Sequence, residues 1–172
     1  MPNPEAFDQH ALIPELHRQL ISSGLTVAAA ESITGGRIQS ALSSQSGSSR
    51  YFLGGVTAYA LRQKVDILGV EPLHAAQVNC VSAAVAEQMA RGALKLFRAD
   101  IALSATGYAE PSPEHGAETA CAYLCLAAQT QELTPFISQI FIESKTLGRL
   151  GMQQWAASTA LSLLRDFLRR PV

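Results

Sequence analysis

Three side chains in the first half of the chain have the types and spacing needed to hydrolyse an amide. Ser32 follows a short apolar run that ends at Glu31, and a Thr-Gly-Gly turn comes directly after it. Lys64 lies five residues beyond Tyr59, so both reach one cleft if the chain turns from strand into helix between them. A serine attacks an amide at neutral pH only when another group removes its proton, and a desolvated lysine can be that base.

Further candidate pieces lie at predicted strand ends, where α/β sheets build their ligand sites. They are Thr34-Gly35-Gly36, Gly47-Ser48-Ser49 and Thr106-Gly107. The amides of the Thr-Gly-Gly turn are the predicted oxyanion site, and Tyr59 is expected to hold or pass a proton. Each piece has an ordinary structural explanation when it is taken singly: Ser32 as a helix cap, Lys64 as a solvated helix lysine, and Tyr59 as a rim residue. No histidine occupies a comparable strand-end position, which disfavours a Ser-His-Asp triad.

Alternating strand and helix patterns must position these side chains. Apolar runs predict strands over 26–31, 51–59, 101–106, 119–128 and 136–143, and helical spacing predicts helices over 12–24, 35–44, 61–68, 82–97 and 147–168. The alternation indicates the α/β class, as a single-domain three-layer α/β/α sandwich. The adjacent strands at 119–143 predict one hairpin, so the sheet is expected to be mostly parallel but mixed. Residues 1–11 are expected to be a loose N-terminal segment, and residues 12–172 one domain.

Composition excludes several classes of protein. The chain has 172 residues, 48% of them hydrophobic and 16% charged, with a formal net charge of −1, which is typical of a globular domain without a nucleic-acid footprint. No apolar run is long enough to span a membrane, and the start does not resemble a signal peptide. Three cysteines make a disulfide framework improbable, and Cys121 and Cys125 are expected to be buried thiols. We therefore expect a cytoplasmic, metal-free protein.

The candidate pieces together resemble a known family. Residues 30–36 (Ala-Glu-Ser-Ile-Thr-Gly-Gly), 47–49, 59–70 and 104–107 occur in one order at distances that resemble the C-terminal domain of the CinA (competence-damage-inducible) family in its stand-alone form, over roughly residues 12–168. The resemblance implies an amidohydrolase that converts nicotinamide mononucleotide and water to nicotinate mononucleotide and ammonia, without a metal or cofactor. It implies Ser32 as nucleophile, Lys64 as base and Tyr59 as an assisting residue. It also implies a homodimer or larger homo-oligomer.

Other positions depart from the family pattern around the expected substrate. Ile33 stands where the family usually has cysteine, the loop between Gly107 and Gly116 is shortened, and Glu110 and Glu118 stand where glycines are expected. A carboxylate there would repel a phosphate.

A Leu-Gly-Arg sequence replaces the family's Gly-Asp-Arg and keeps Arg149 as an expected substrate contact, whereas Gln153 replaces a following arginine. Three functions stay open: deamidation of nicotinamide mononucleotide, a catalytically impaired relative that binds a nucleotide or protein partner, and an amidase whose substrate lacks the phosphate.

Overall fold

Five strands form one sheet in the part of the chain that the computed structural model describes, residues 9–129 and 134–170. They are β1 (Val27–Glu31), β2 (Phe52–Thr57), β3 (Ile101–Tyr108), β4 (Ala120–Ala128) and β5 (Phe136–Ser144), in the order β2-β1-β3-β4-β5. Strand β1 pairs in parallel with β2 and β3, whereas β4 runs antiparallel to both β3 and β5. The predicted mixed sheet and the hairpin of β4 and β5 are therefore confirmed, whereas the antiparallel pairing of β3 with β4 was not predicted.

Six helices cover the two faces of this sheet within the described residues. They are α1 (Gln9–Ser23), α2 (Arg37–Ser43), α3 (Leu61–Leu68), α4 (Pro72–Gln77), α5 (Ala83–Phe97) and α6 (Arg149–Leu168). Successive strand residues point to opposite faces, so Val27 and Ala29 pack in the core under α1, α2 and α6, and Ala28 and Ala30 in the core under α3, α4 and α5. The predicted three-layer sandwich is confirmed.

Several helix ends have the residues that helix termini require. Gly69 takes a left-handed conformation (φ 68°) and ends α3, and the Ser82 side chain accepts a hydrogen bond from the Val85 amide and caps α5, both as predicted. Helix α4 was not predicted from the sequence. Its signal is Glu71-Pro72, because the Glu71 carboxylate caps the first turn and Pro72 occupies the first helical position.

Several predicted boundaries differ from the structure by one to three residues: α2 begins at Arg37 rather than at Gly35, β2 ends at Thr57 rather than at Tyr59, and β3 extends to Tyr108. Helix α1 begins at Gln9 rather than at Leu12, so residues 9–11 belong to a helix and not to a loose segment. Helix α6 begins at Arg149, two residues later than the apolar pattern indicated. Residues 1–8, the rest of the predicted loose segment, lie outside the described residues. That they form a loose segment stays a prediction.

The described residues include no helix that combines the length and apolarity needed to cross a bilayer. They also include no group of three or more His, Cys, Asp or Glu side chains placed to hold a metal ion. Cys121 and Cys125 are free and buried, as predicted.

A close contact between two helices determines where α3 lies. A Cβ added at Gly92 of α5 would collide with the backbone carbonyl oxygen of Leu68, and would lie 2.8 Å from the Leu68 Cα. Glycine therefore lets the end of α3 pack directly against α5, and α3 carries Lys64.

We expect Gly92→Ala to lower the free energy of unfolding by about 1–3 kcal/mol, because the new methyl group meets backbone that cannot rotate away. Urea unfolding measures this. Gly151→Ala is the matched control, because the nearest atom there is the flexible Leu147 side chain, 3.2 Å away, and alanine favours a helix by up to about 1 kcal/mol. An equal effect of the two substitutions would contradict the close-packing explanation.

Candidate active site

Ser32 lies at the point where β1 ends and the chain turns into α2. Its amide donates a hydrogen bond to the Ala105 carbonyl of β3 (2.9 Å), which extends the parallel pairing by one residue. Gly35 and Gly36 then take left-handed conformations (φ 58° and 96°), and α2 begins at Arg37. These positive φ angles favour glycine, and they produce the sharp turn that leaves Ser32 at the carboxyl end of the strand.

The carboxylate of Glu31 holds this turn from inside the protein. Glu31 is fully buried, and its Oε2 accepts hydrogen bonds from the amides of Gly36 (3.0 Å) and Ile38 (3.1 Å). Its Oε1 accepts from the Gln39 amide (2.9 Å). The first amides of a helix have no intrahelical partner, so the carboxylate both satisfies them and neutralises the positive end of α2.

The two glycine amides of the Thr-Gly-Gly turn are consequently not available as an oxyanion site. The Gly35 amide donates to the Ser32 carbonyl (3.2 Å), and the Gly36 amide donates to Glu31. Thr34, Gly35 and Gly36 also lie outside the cavity described below. Their predicted contact with substrate is corrected: the turn positions Ser32 through Glu31.

Lys64 extends from α3 to the serine, as the sequence predicted. Its Nζ lies 2.9 Å from Ser32 Oγ and 2.8 Å from the carbonyl oxygen of Tyr59, and the side chain is 1% exposed. Neither partner is a carboxylate. Burial lowers the pKa of Lys64, because desolvation penalises the ammonium form. Burial also raises the pKa of the neighbouring Cys80, which keeps that thiol neutral.

Tyr59 contacts Lys64 through its backbone and not through its phenol. The side chain is 59% exposed, and its hydroxyl accepts a hydrogen bond from Arg149 Nη2 (3.0 Å). The Tyr59 hydroxyl was expected to hold or pass a proton, but its hydrogen bond is to Arg149 and not to Ser32 or Lys64. Its carbonyl instead fixes the position of the lysine amine.

A cavity of about 400 Å³ opens in front of Ser32 and Lys64. The predicted site residues that line it are Ser32, Tyr59, Lys64, Thr106, Gly107 and Arg149. Sequence reasoning missed other lining residues, among them Asn79, Cys80, Tyr108 and Glu114. Gly47-Ser48-Ser49 lie elsewhere, in the turn before β2, where the Ser48 hydroxyl donates to the Ser43 carbonyl (3.3 Å). That predicted contact with substrate is not supported.

One wall of the cavity has an unusual backbone. Asn79 (φ 46°) and Cys80 (φ 62°) are consecutive non-glycine residues in the left-handed region, which is costly for a residue with a Cβ. The Thr106 hydroxyl donates to the Cys80 carbonyl (2.7 Å), and the Cys80 amide donates to the Ala75 carbonyl (2.7 Å). Thr106 therefore holds the wall of the cavity. Asparagine adopts the left-handed conformation more readily than most residues, so Asn79 was the feature of the sequence that could have indicated this turn.

Gly107 presents its amide at the end of β1. Alternate residues of a strand direct their backbone groups to opposite neighbours, and the Ala105 carbonyl accepts from Ser32. Gly107, two residues farther along β3, therefore directs its N–H to the same side. Both Gly107 and Ile33 line the cavity, so their amides are the candidates for binding an oxyanion.

Arg149 links three segments at the opening of the cavity. Its Nη1 donates to Glu110 Oε1 (2.7 Å) and its Nη2 to the Tyr59 hydroxyl, and both hydrogen bonds raise the pKa of Arg149. Glu118 does not line the cavity, whereas Glu114 does. Only one of the two glutamates singled out in the sequence therefore faces the predicted substrate.

Comparisons with known proteins agree on one family. The sequence-family model of the CinA C-terminal domain matches residues 9–168. A CinA-like protein of Shewanella baltica is 43% identical over 106 residues, which are 62% of this chain and 25% of the relative. The nicotinamide-nucleotide amidohydrolase PncC of Shewanella oneidensis is 42% identical over 106 residues, again 62% of this chain and 25% of the relative. The matched segment thus spans about a quarter of these curated relatives.

Solved structures match nearly the whole chain. A CinA superfamily protein from Klebsiella pneumoniae has a TM-score of 0.84 at 28% identity, with 94% of this chain and 98% of that chain covered. The competence/damage inducible protein CihA from Agrobacterium tumefaciens has a TM-score of 0.79 at 32% identity, with 92% and 96% covered.

The buried Glu31 carboxylate leads to a stability prediction. We expect Glu31→Gln to lower the free energy of unfolding by about 1–3 kcal/mol, because the new NH₂ group faces an amide donor instead of accepting from it. Glu118→Gln, which removes an exposed carboxylate on the surface, is expected to change it by less than about 0.5 kcal/mol. Urea unfolding of both variants is the measurement. A Glu31→Gln protein as stable as the original would refute the role given to this carboxylate.

Proposed function

This chain belongs to the CinA C-terminal domain family, and from that premise we propose that it hydrolyses the carboxamide of nicotinamide mononucleotide or a close relative. The observation that carries the proposal is the 2.9 Å contact between Ser32 Oγ and the buried Lys64 amine. The name of the similar Shewanella oneidensis protein, a nicotinamide-nucleotide amidohydrolase, supports the choice of substrate.

The first chemical step is attack of Ser32 on the amide carbonyl carbon. In its neutral form Lys64 accepts the hydroxyl proton across the 2.9 Å contact, while the Tyr59 carbonyl keeps the amine in place. Burial favours the neutral form of Lys64, so a base is present nearer to neutral pH than an exposed lysine would allow.

The second step breaks the carbon–nitrogen bond. The amides of Ile33 and Gly107 stabilise the tetrahedral oxyanion, and the Lys64 ammonium returns its proton to the departing nitrogen, which leaves as ammonia. An ester on Ser32 remains. A water molecule then attacks this ester with Lys64 again as base, and Lys64 returns the proton to Ser32 Oγ as the ester bond breaks and the carboxylic acid is released. The sum is amide plus water giving acid plus ammonia.

The size of the cavity suits a small substrate. Its volume of about 400 Å³ falls within the range of roughly 300–1,000 Å³ that is usual for small-molecule sites. Self-association into a homodimer or larger assembly, and a cytoplasmic location, stay predictions that accompany this proposal.

Removal of either member of the pair tests the mechanism. We expect Ser32→Ala and Lys64→Met each to reduce ammonia release from nicotinamide mononucleotide at least about a thousandfold, because nucleophile and base act as a unit. Lys95→Met, which changes an exposed lysine of α5, is the control and should keep the original rate. Equal rates in all proteins would refute the serine–lysine mechanism. Tight calorimetric binding without any product would favour the non-catalytic relative.

The acid limb of the pH–rate profile reports the base. Only neutral Lys64 accepts the serine proton, so kcat/KM should rise with pH until it passes the lowered pKa of Lys64 and then level off. The midpoint should lie below the usual lysine value of about 10.4. A rate that falls as pH rises over this limb would show that the ammonium form is required instead.

A further inference from the structure

A cluster of three side chains stands at the opening of the catalytic cavity, and each comes from a different segment. Tyr59 follows β2, Glu110 follows β3, and Arg149 is the first residue of α6. Arg149 Nη1 lies 2.7 Å from Glu110 Oε1, and Arg149 Nη2 lies 3.0 Å from the Tyr59 hydroxyl. We call these three residues the mouth cluster. The Arg149 guanidinium thus already forms an ion pair with a carboxylate of the protein, that of Glu110.

The charged side chains that line the cavity differ in whether they already have partners within the protein. Among the described residues, Lys64 and Arg149 are the basic side chains that line it, and Glu110 and Glu114 are the acidic ones. The Lys64 amine contacts Ser32 and the Tyr59 carbonyl. Arg149 is therefore the side chain that could meet an anionic substituent, and Glu110 occupies it.

A phosphate group would meet an unfavourable environment in this cavity. A phosphomonoester carries a charge of about −1.5 to −2 at pH 7, and at Arg149 it would lie beside the Glu110 carboxylate, which repels it and competes for the guanidinium. The pyridinium ring of an N-ribosylated nicotinamide is positively charged, so Glu110 and Glu114 attract it. The same two carboxylates thus favour one end of a nicotinamide mononucleotide and oppose the other.

We propose that Glu110 is a specificity-determining residue that makes the site prefer nicotinamide nucleosides, which lack the phosphate, to nicotinamide mononucleotides. The inference rests on the proposed function and narrows its substrate class. The Arg149 and Glu110 side chains are 50% and 58% exposed, so water weakens their interaction. We therefore expect discrimination of about two- to fivefold, in keeping with exposed charge pairs.

The test compares two substrates that share the scissile amide and differ in the phosphate. Ammonia release from nicotinamide riboside and from nicotinamide mononucleotide gives a ratio of the two kcat/KM values for each protein. The ratio should favour the riboside about two- to fivefold in the original protein. Glu110→Gln should bring it close to one, chiefly through a lower KM for the mononucleotide. This variant keeps an oxygen that accepts from Arg149, so the fold should be preserved.

A matched variant separates a local effect from a general effect of charge. Glu118→Gln removes one negative charge from the same loop region but outside the cavity lining, and the ratio should not change. The proposal is overturned if the original protein prefers the mononucleotide, if Glu110→Gln leaves the ratio unchanged, or if Glu118→Gln changes it as much.

Failure of the proposed function gives a different result. If the original protein hydrolyses neither compound, the serine–lysine reaction is refuted for these substrates, and calorimetric dissociation constants of the same two compounds replace the kinetic ratio. Tighter binding of the riboside, lost in Glu110→Gln, would still support the role of Glu110. Equal binding of the two compounds, or binding of neither, would overturn it.

Discussion

A lysine amine enclosed next to a serine hydroxyl and a backbone carbonyl, neither of them a carboxylate, is the constraint on which the candidate site depends. Within residues 9–129 and 134–170, Nζ of Lys64 forms hydrogen bonds with the Ser32 hydroxyl and the Tyr59 backbone carbonyl, and neither oxygen carries a charge. A buried ammonium ion without a counter-ion is costly, and loss of its proton relieves that cost. Burial of Lys64 therefore costs the folded protein stability when the amine is charged, and the same burial favours the neutral amine that the proposed reaction needs as its base.

The rest of the structure brings the two groups together from opposite sides of the site. Ser32 is held from β1, where the buried Glu31 carboxylate fixes the turn into α2. Lys64 is held from α3, which packs against α5 at Gly92. Strand β3 lies beside β1 and supplies both the partner of the Ser32 amide and the Gly107 amide. The acid next to the serine thus has an architectural role, and the acid at the opening, Glu110, faces the substrate.

The contact between Ser32 and Lys64 was predictable because it rests on local features. A strand end, a turn and a helix start are each visible in the sequence, so Ser32 and Lys64 could be expected in one cleft. The glycine amides of the turn are not free oxyanion donors, because the Gly36 amide donates to Glu31 and the Gly35 amide to the Ser32 carbonyl. The direction of a side chain at a strand end is a tertiary property. The exposed Tyr59 hydroxyl and the cavity wall at Cys80 likewise depend on segments distant in sequence, which local patterns do not describe.

The pKa of the Lys64 amine is the quantity that tests this account most directly. An NMR titration of the lysine side chains, with Lys64→Met to assign the resonance, would measure it in the intact protein. The account predicts a pKa clearly below the usual lysine value, and a shift of the Lys64 resonance when Ser32 is changed to alanine. A pKa at or above the usual value would mean that the amine is charged at neutral pH, and it would contradict the assignment of Lys64 as the base.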